Sequence, residues 1–376
     1  MLPRRSVVIK YTFCVCITVL VLFLLVTGPK HPTAVSAWRR ILQDFNEYGL
    51  NETQLRSELK HLVSELNVTY DYNNKSLGEL YRVVQAMREQ VPINPHKFNF
   101  VINPASHTCH KDIFLLIYIH TAPDHYKRRA AIRETWGNPN NLKELNIKLV
   151  FLLGRSNDAA MNDAMTLESD MHGDIVQEDF IDAYRNLTYK AIMGLKWVTF
   201  HCPTPKFVLK VDDDIFVNIF NVIKHLETLD KDNHDETNKG LLLCLVWYRM
   251  KVVREPKSKW YLSKEEFKHD YFPTYCSGSA FIMTPDVMKG MYNASQFTPF
   301  FWVDDFYVTG LLAQKVGVTH KKFNSVYTLG PSTFLEKFSD ETKWRTYTFG
   351  HVHNLNHMLI VWRKVLDDRR RHSVNT

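Results

Sequence analysis

The sequence predicts an α/β protein built on a Rossmann-like mixed sheet, mostly parallel and flanked by helices, behind an N-terminal membrane anchor and a stem. Three observations carry this. Apolar runs without polar alternation recur at Ile113–Ile119, Ile147–Leu153 and Phe207–Val211, the pattern of strands buried on both faces. Helical stretches at 126–136, 159–171 and 187–200 alternate with them, the pitch of strand–helix–strand units. The chain has 376 residues, of which 45% are apolar and 13% aromatic, enough to bury a large core and to exclude wholesale disorder.

The first element is the anchor. Tyr11 to Val26 is uncharged, and Arg4, Arg5 and Lys10 precede it, so the positive-inside rule puts the N-terminus in the cytosol and the bulk on the other side. We read 1–10 as a cytoplasmic tail, 11–28 as a signal-anchor helix, 29–108 as a stem and 109–376 as the main folded domain. A cleaved signal peptide ending near Val35-Ser36-Ala37 is the competing reading; that site lies farther from the apolar run than such sites usually sit. Six of the seven net positive charges fall within the first 40 residues. The folded part is nearly neutral, which argues against nucleic acid as a partner.

In the stem, Leu55, Leu59, Leu62 and Leu66 recur at helical spacing and predict an amphipathic helix suited to self-association, compatible with a homodimer. Residues 91–108 read as loop. Beyond the anchor, Cys109, Cys202, Cys244 and Cys276 make an even set without a CxxC spacing, which favours two disulfides over zinc. Glycosylation sequons at Asn51, Asn67, Asn74, Asn186 and Asn293 fit the same secretory compartment.

In a parallel sheet ligands bind at the carboxyl ends of strands, so the residues just past each strand matter most. Past 207–211 comes Asp212-Asp213-Asp214. Adjacent carboxylates repel one another, and a hard divalent cation with a phosphorylated ligand explains the triplet better than a solvated turn between two apolar stretches. Asp304-Asp305 opens a helix; such acids favour the helix dipole, or one serves as a general base beneath aromatic groups such as Trp302. Arg128, Arg129 and Arg133 with Trp136 could grip an anion and cover a base, or simply form a basic amphipathic helix. Gly278 marks a close backbone approach or a turn. His351 and His353 are late candidate ligands.

Taken in order, RRAAIRETWG, LTYKAIMGLKW, KVDDDIFVN, YCSGSAFIM and VDDFYVTG resemble the β-1,3-galactosyltransferase/β-1,3-N-acetylglucosaminyltransferase family of the Golgi, over about Phe114 to Trp362. The resemblance implies a GT-A fold, Mn²⁺ or Mg²⁺, a UDP-sugar donor, a glycan acceptor on glycoprotein or glycolipid, inversion at the anomeric carbon, and a single-pass type II protein of the Golgi membrane with its catalytic domain lumenal. By position it implies Asp305 as base, Asp212 and Asp214 as DxD carboxylates touching ribose and metal, Asp213 between them, and Arg129, Arg133 and Trp136 on the donor side. His351 would complete the metal site. Asp304 stands where Glu is usual, Phe306 where Val is usual and Ala280 where Gly is common. Among the three cystine connectivities, Cys109–Cys202 is favoured because both residues lead into strands that would be neighbours, leaving Cys244–Cys276. A metal-dependent hydrolase would need more ligands on separate strand ends. A silent sugar-binding relative would be expected to have lost Asp214 or Asp305.

Overall fold

The computed structural model describes residues 52–65, 80, 91–104, 109, 113–232, 239–330 and 333–373. The expected tail and anchor lie outside the described residues, as do Cys14 and Cys16. Among the described residues no helix is long and apolar enough to cross a membrane. Two compact units are present, Met1–Pro92 and Ile93–Thr376. In the first, α1 (Glu52–Glu65) forms where the leucines recur at helical spacing.

The second unit carries β1 (Phe100–Ile102), β2 (Leu115–His120), β3 (Ile147–Arg155), β4 (Ile175–Ile181), β5 (Phe207–Asp212), β6 (Ile215–Val217), β7 (Leu242–Trp247), β8 (Tyr275–Met283), β9 (His320–Lys322), β10 (Tyr327–Thr328) and β11 (Phe349–His351). Eight of them form one sheet in the order β1-β4-β3-β2-β5-β8-β7-β9, and β10-β11-β6 form a second. The centre, β4-β3-β2-β5, is parallel. β1 joins one side antiparallel, and β8 runs antiparallel to both β5 and β7. The sheet is therefore mixed and parallel-rich, as expected.

Its centre is dry on both faces, which is why these strands show no polar alternation. Along β2, Leu115, Ile117 and Ile119 enter one core cluster while Leu116 and Tyr118 enter the other. The intervening helices are α2 (Tyr126–Glu134), α3 (Ala159–His172), α4 (Leu187–His201), α5 (Ile219–Asp232), α6 (Pro285–Ser295), α7 (Asp304–Phe306, continuing as a π-helical turn to Leu312) and α8 (Leu355–Ser373). α4 covers one face with Ile192, Leu195, Trp197 and Val198, and α8 contributes Met358, Val361, Trp362 and Val365 to the other. Each such large side chain stabilises the fold by roughly 1.5–3 kcal/mol when fully buried. A Cβ on Gly194 would stand 3.0 Å from Leu152 and 3.1 Å from Tyr118, so glycine lets α4 lie close against β2 and β3.

Two elements exceed the sequence reading. β4, of which the apolar pair Ile175-Val176 alone reads as a short strand, runs on through Gln177 and Glu178, both buried and both satisfied: Gln177 donates to the Gly154 carbonyl at 2.9 Å, and Lys196 donates to Glu178 at 2.7 Å. Ahead of the boundary expected at 108/109, Phe100–Ile102 closes the sheet edge against β4. Both disulfides are those favoured, Cys109–Cys202 and Cys244–Cys276. The first pairs residues leading into β2 and β5, which are sheet neighbours with Leu115 opposite Phe207.

The chain leaves β2 on one side, through β3 and β4, and returns to β5 on the other. β2 and β5 therefore flank the topological switch point, and the crevice beyond their carboxyl ends is where a ligand fits.

Candidate active site

At that crevice His120 ends β2 directly opposite Asp212, the last residue of β5. A cavity of about 670 Å³ opens there, and Asp212, Asp214, Asp304, Asp305 and His351 all line it. Carboxylates nearly a hundred positions apart in sequence thus share one space.

The three acids after β5 are held in three different ways. Asp212 accepts from Lys210 Nζ at 2.5 Å. Strand alternation places residues 210 and 212 on one side, a signal in the sequence that identifies Lys210 as part of the site. Burial pushes the Asp212 carboxyl up to about 7, Lys210 opposing and the neighbouring Asp214 and Asp304 adding. Burial works against the charge of Lys210 too, yet Asp212 and Asp304 hold its ammonium above the usual lysine range.

Asp213 turns away from the cavity and is 4% exposed. It accepts from Thr121 Oγ1 and Arg128 Nη1, and meets His125 Nδ1, each at 2.7 Å. Against the penalty of burial, these partners hold it below the usual carboxylate range. These contacts fix the loop after β2 to the end of β5.

Asp214 faces the cavity. β6 pairs with β11 so that His351 lies opposite Ile215, which sets His351 Nε2 3.3 Å from Asp214 Oδ2. Burial opposes the Asp214 charge, but the hydrogen bond and charge of His351 hold its carboxyl low, and Asp214 in turn raises His351.

Across the cavity Asp305 accepts from the Phe306 N–H at 2.7 Å and the Gly278 N–H at 3.3 Å. A Cβ on Gly278 would stand 3.1 Å from the Asp305 Cβ, so this glycine admits the close approach of Asp305. Burial, then the charge of Asp304, pushes Asp305 up to about 7, while the two N–H groups and Lys210 pull the other way. Phe306 is 1% exposed among Phe267, Phe272, Tyr275 and Phe301, an aromatic anchor for the turn that carries the acids.

The donor-side assignment of Arg129, Arg133 and Trp136 needs correction. None of the three lines the cavity. Arg129 is 0% exposed, donates to Glu168 at 2.7 and 2.8 Å, and binds the carbonyls of Ala122 and Pro123. Arg133 bridges Glu168 and Asp174, and Trp136 is 0% exposed in the core. Arg129 and Arg133, spaced i, i+4, share the face of α2 turned inward, and Trp136 follows just past its C-cap Thr135. Arg128, about 100° around α2, is the arginine that reaches the acids, 2.7 Å from Asp213 and 3.5 Å from Asp214. Sequence reasoning also missed Tyr184 and the adjacent Lys259 and Trp260, which line the cavity from two segments remote in sequence and carry no periodic signal.

Paired carboxylates at a switch point, facing a near-neutral buried acid across a cavity of this size, define a site for group transfer from a phosphorylated donor. Residues 127–324 match the Galactosyltransferase family, and the chain belongs to it. Beta-1,3-galactosyltransferase 1 of Homo sapiens is 39% identical over 228 residues, 60% of this chain and 68% of that relative. Beta-1,3-galactosyltransferase 5 of Gorilla gorilla gorilla is 33% identical over 244 residues, 65% of this chain and 80% of the relative. Among solved structures, the galactosyltransferase LgtC with donor and acceptor sugar analogues aligns at 10% identity and a TM-score of 0.34, over 66% of this chain and 95% of that one. The chain is a hexosyltransferase acting on glycan acceptors.

Proposed function

We propose that this hexosyltransferase is an inverting β-1,3-glycosyltransferase of GT-A type that moves galactose or an N-acetylhexosamine from a UDP-sugar to a hydroxyl of a glycan carried by protein or lipid. The observation that carries this is the convergence of Asp214 and Asp305 on one cavity, the first held ionised and the second near neutrality. Asp305 takes the proton of the acceptor hydroxyl as that oxygen forms its bond to the anomeric carbon. The glycosyl–phosphate bond breaks on the opposite face, and the electron pair leaves with UDP. The transition state is oxocarbenium-like, as in inverting glycosidases. Near pH 7 a carboxyl with this pKa is present in the basic form in quantity and still holds a proton well, the condition for efficient general-base work.

Mn²⁺ or Mg²⁺, if bound, would neutralise the charge gathering on the leaving diphosphate. Among the described residues no cluster of three His, Cys, Asp or Glu side chains closes on a cation. A hard cation that keeps water and phosphate oxygens needs only one or two protein ligands, and Asp214 with His351 presents an oxygen and a nitrogen to the cavity. These two residues fit such an ion, the imidazole favouring Mn²⁺ over Mg²⁺.

The same reading makes the chain a type II protein of the Golgi membrane. The uncharged run at 11–26 with its basic flank supports it, as do the two disulfides, which persist in an oxidising lumen. A homodimer through the stem is part of this proposal and rests on the helical leucine spacing alone.

The test is to incubate the purified full chain with Mn²⁺ and UDP-galactose, UDP-N-acetylglucosamine or UDP-N-acetylgalactosamine, with and without β-glycoside acceptors. UDP release that requires acceptor, for one of these donors, is expected. Release at the same rate without acceptor identifies a hydrolase, and no release with any donor identifies a binder; either overturns the proposal.

A further inference from the structure

One part of the cavity wall takes no part in the acid chemistry. It is aromatic and continuous: Trp260, Lys259, Tyr184 and Trp302 all line the cavity. Lys259 Nζ stands 4.7 Å from the Trp260 ring centre and 5.6 Å from that of Tyr184. The Trp260 side chain lies near enough to the Tyr184 hydroxyl to favour its ionised form, against burial and the charge of Asp304, which push it up. The Tyr184 ring in turn lies 6.2 Å from Trp302, tilted at 55°.

Behind this wall is a support. The Arg185 guanidinium covers the Trp302 ring at 3.7 Å, close for a cation over an aromatic face, and pairs with Glu266 at 3.4 Å. Glu266 accepts from the Ser263 N–H at 2.9 Å, which ties the support to its own loop. Arg185 does not line the cavity, so it takes one ring face and leaves the lining side of Trp302 to a ligand. The Trp302 indole N–H is buried and has no hydrogen-bond partner among the described residues. Only Val303 separates Trp302 from the acid pair, and Tyr184 lies within electrostatic reach of Asp304 and Asp305.

A sugar ring presents apolar C–H groups on its faces and hydroxyls around its edge. Sites that hold such ligands combine aromatic surface with a few placed polar groups. We infer that Tyr184 and Trp302 form a shelf seating the C–H face of the acceptor's terminal hexose, with Arg185 as the positioning residue that fixes the Trp302 ring. This rests on Asp305 being the base of a glycosyl transfer, since the shelf brings the acceptor hydroxyl to that carboxyl. Lys259 then serves the hydroxyl edge of the same sugar.

The experiment uses the full chain and two kinds of readout. In saturation-transfer NMR with methyl β-galactoside and methyl β-N-acetylglucosaminide, one glycoside shows stronger transfer to the protons of one ring face than of the other. Trp302→Ala abolishes that asymmetry. In steady-state assays Trp302→Ala raises the acceptor KM about tenfold and Arg185→Ala about threefold, with the UDP-sugar KM nearly unmoved. Trp302→Phe falls between wild type and alanine, and Arg185→Lys restores most of the loss. A donor KM that rises with the acceptor KM overturns the shelf, as does transfer asymmetry that survives in Trp302→Ala. If wild type transfers sugar and the variants leave the acceptor KM alone, the shelf fails and the reaction stands. If glycoside binding depends on Trp302 but no sugar is transferred, the reaction fails and the shelf stands.

Discussion

Two acidic regions face each other across the cavity and are wired in opposite ways. At the end of β5 every carboxylate has a cationic or imidazole partner: Lys210 for Asp212, Arg128 and His125 for Asp213, His351 for Asp214. At the start of α7, Asp304 and Asp305 make no ion pair within the described residues, and Asp305 is held by two backbone N–H groups instead. Burial acts on both regions. In the first it is outweighed for Asp213 and Asp214, which stay ionised, and only Asp212 rises. In the second it wins, because main-chain donors carry no full charge to set against it. Asp213 and Asp214 hold their charge beside Arg128, His125 and His351, whereas Asp212 rises despite Lys210 and Asp305 rises without an ion pair.

The largest test of that contrast removes the proton acceptor. Asp305→Asn keeps the shape and the hydrogen-bonding length but cannot take a proton. Transfer is expected to fall by about 10²–10⁴-fold, the usual contribution of a positioned base, with UDP affinity nearly intact. Turnover close to wild type, measured by UDP release with acceptor present, would remove Asp305 from the reaction and erase the division of labour.

Asp214→Ala probes the other side and is expected to act on binding first. UDP affinity measured by calorimetry with Mn²⁺ should drop by about 10–100-fold, the usual cost of weakening a metal site, and lose its dependence on the ion. An affinity that still responds to Mn²⁺ as in wild type would show that the triplet does not hold the cation.

The comparison also explains what was legible in the sequence. Buried strands announce themselves because both faces are apolar, so β2, β3 and β5 follow from their apolar runs, and the favoured Cys109–Cys202 pairing follows from the neighbourhood expected of two of them. Arg129, Arg133 and Trp136 do not, because an i, i+4, i+7 spacing reads the same whether it grips a ligand or turns to the core; only Glu168 and Asp174, brought in from α3 and its end, decide it. Gln177 and Glu178 hide the second half of β4 because their polarity is satisfied by residues remote in sequence. The convergence of Asp214 and Asp305 has motif support, yet the partner that sets each charge, His351 or the Gly278 N–H, comes from a strand pairing no local pattern encodes. Tyr184, Trp260 and Trp302 reach one wall from three segments remote in sequence, and nothing in their spacing links them.

The smallest expected effect isolates the charge of Asp304. The base must be ionised to act, so transfer should rise with pH through about 7 and level off above it, given where Asp305 stands. After burial, Asp304 is the next cause of that raised value. Asp304→Asn removes a negative neighbour, makes ionisation of Asp305 easier and lowers its pKa. The acidic limb of the profile should therefore move to lower pH while the alkaline plateau keeps its height. The gain on the acidic side is bounded at about tenfold for each unit the pKa falls. An Asp304→Asn profile superimposed on wild type would mean that burial alone sets the proton affinity of Asp305. The second carboxylate would then have to act on the substrate instead, and a fall in the plateau with an unchanged midpoint is the result that would show it.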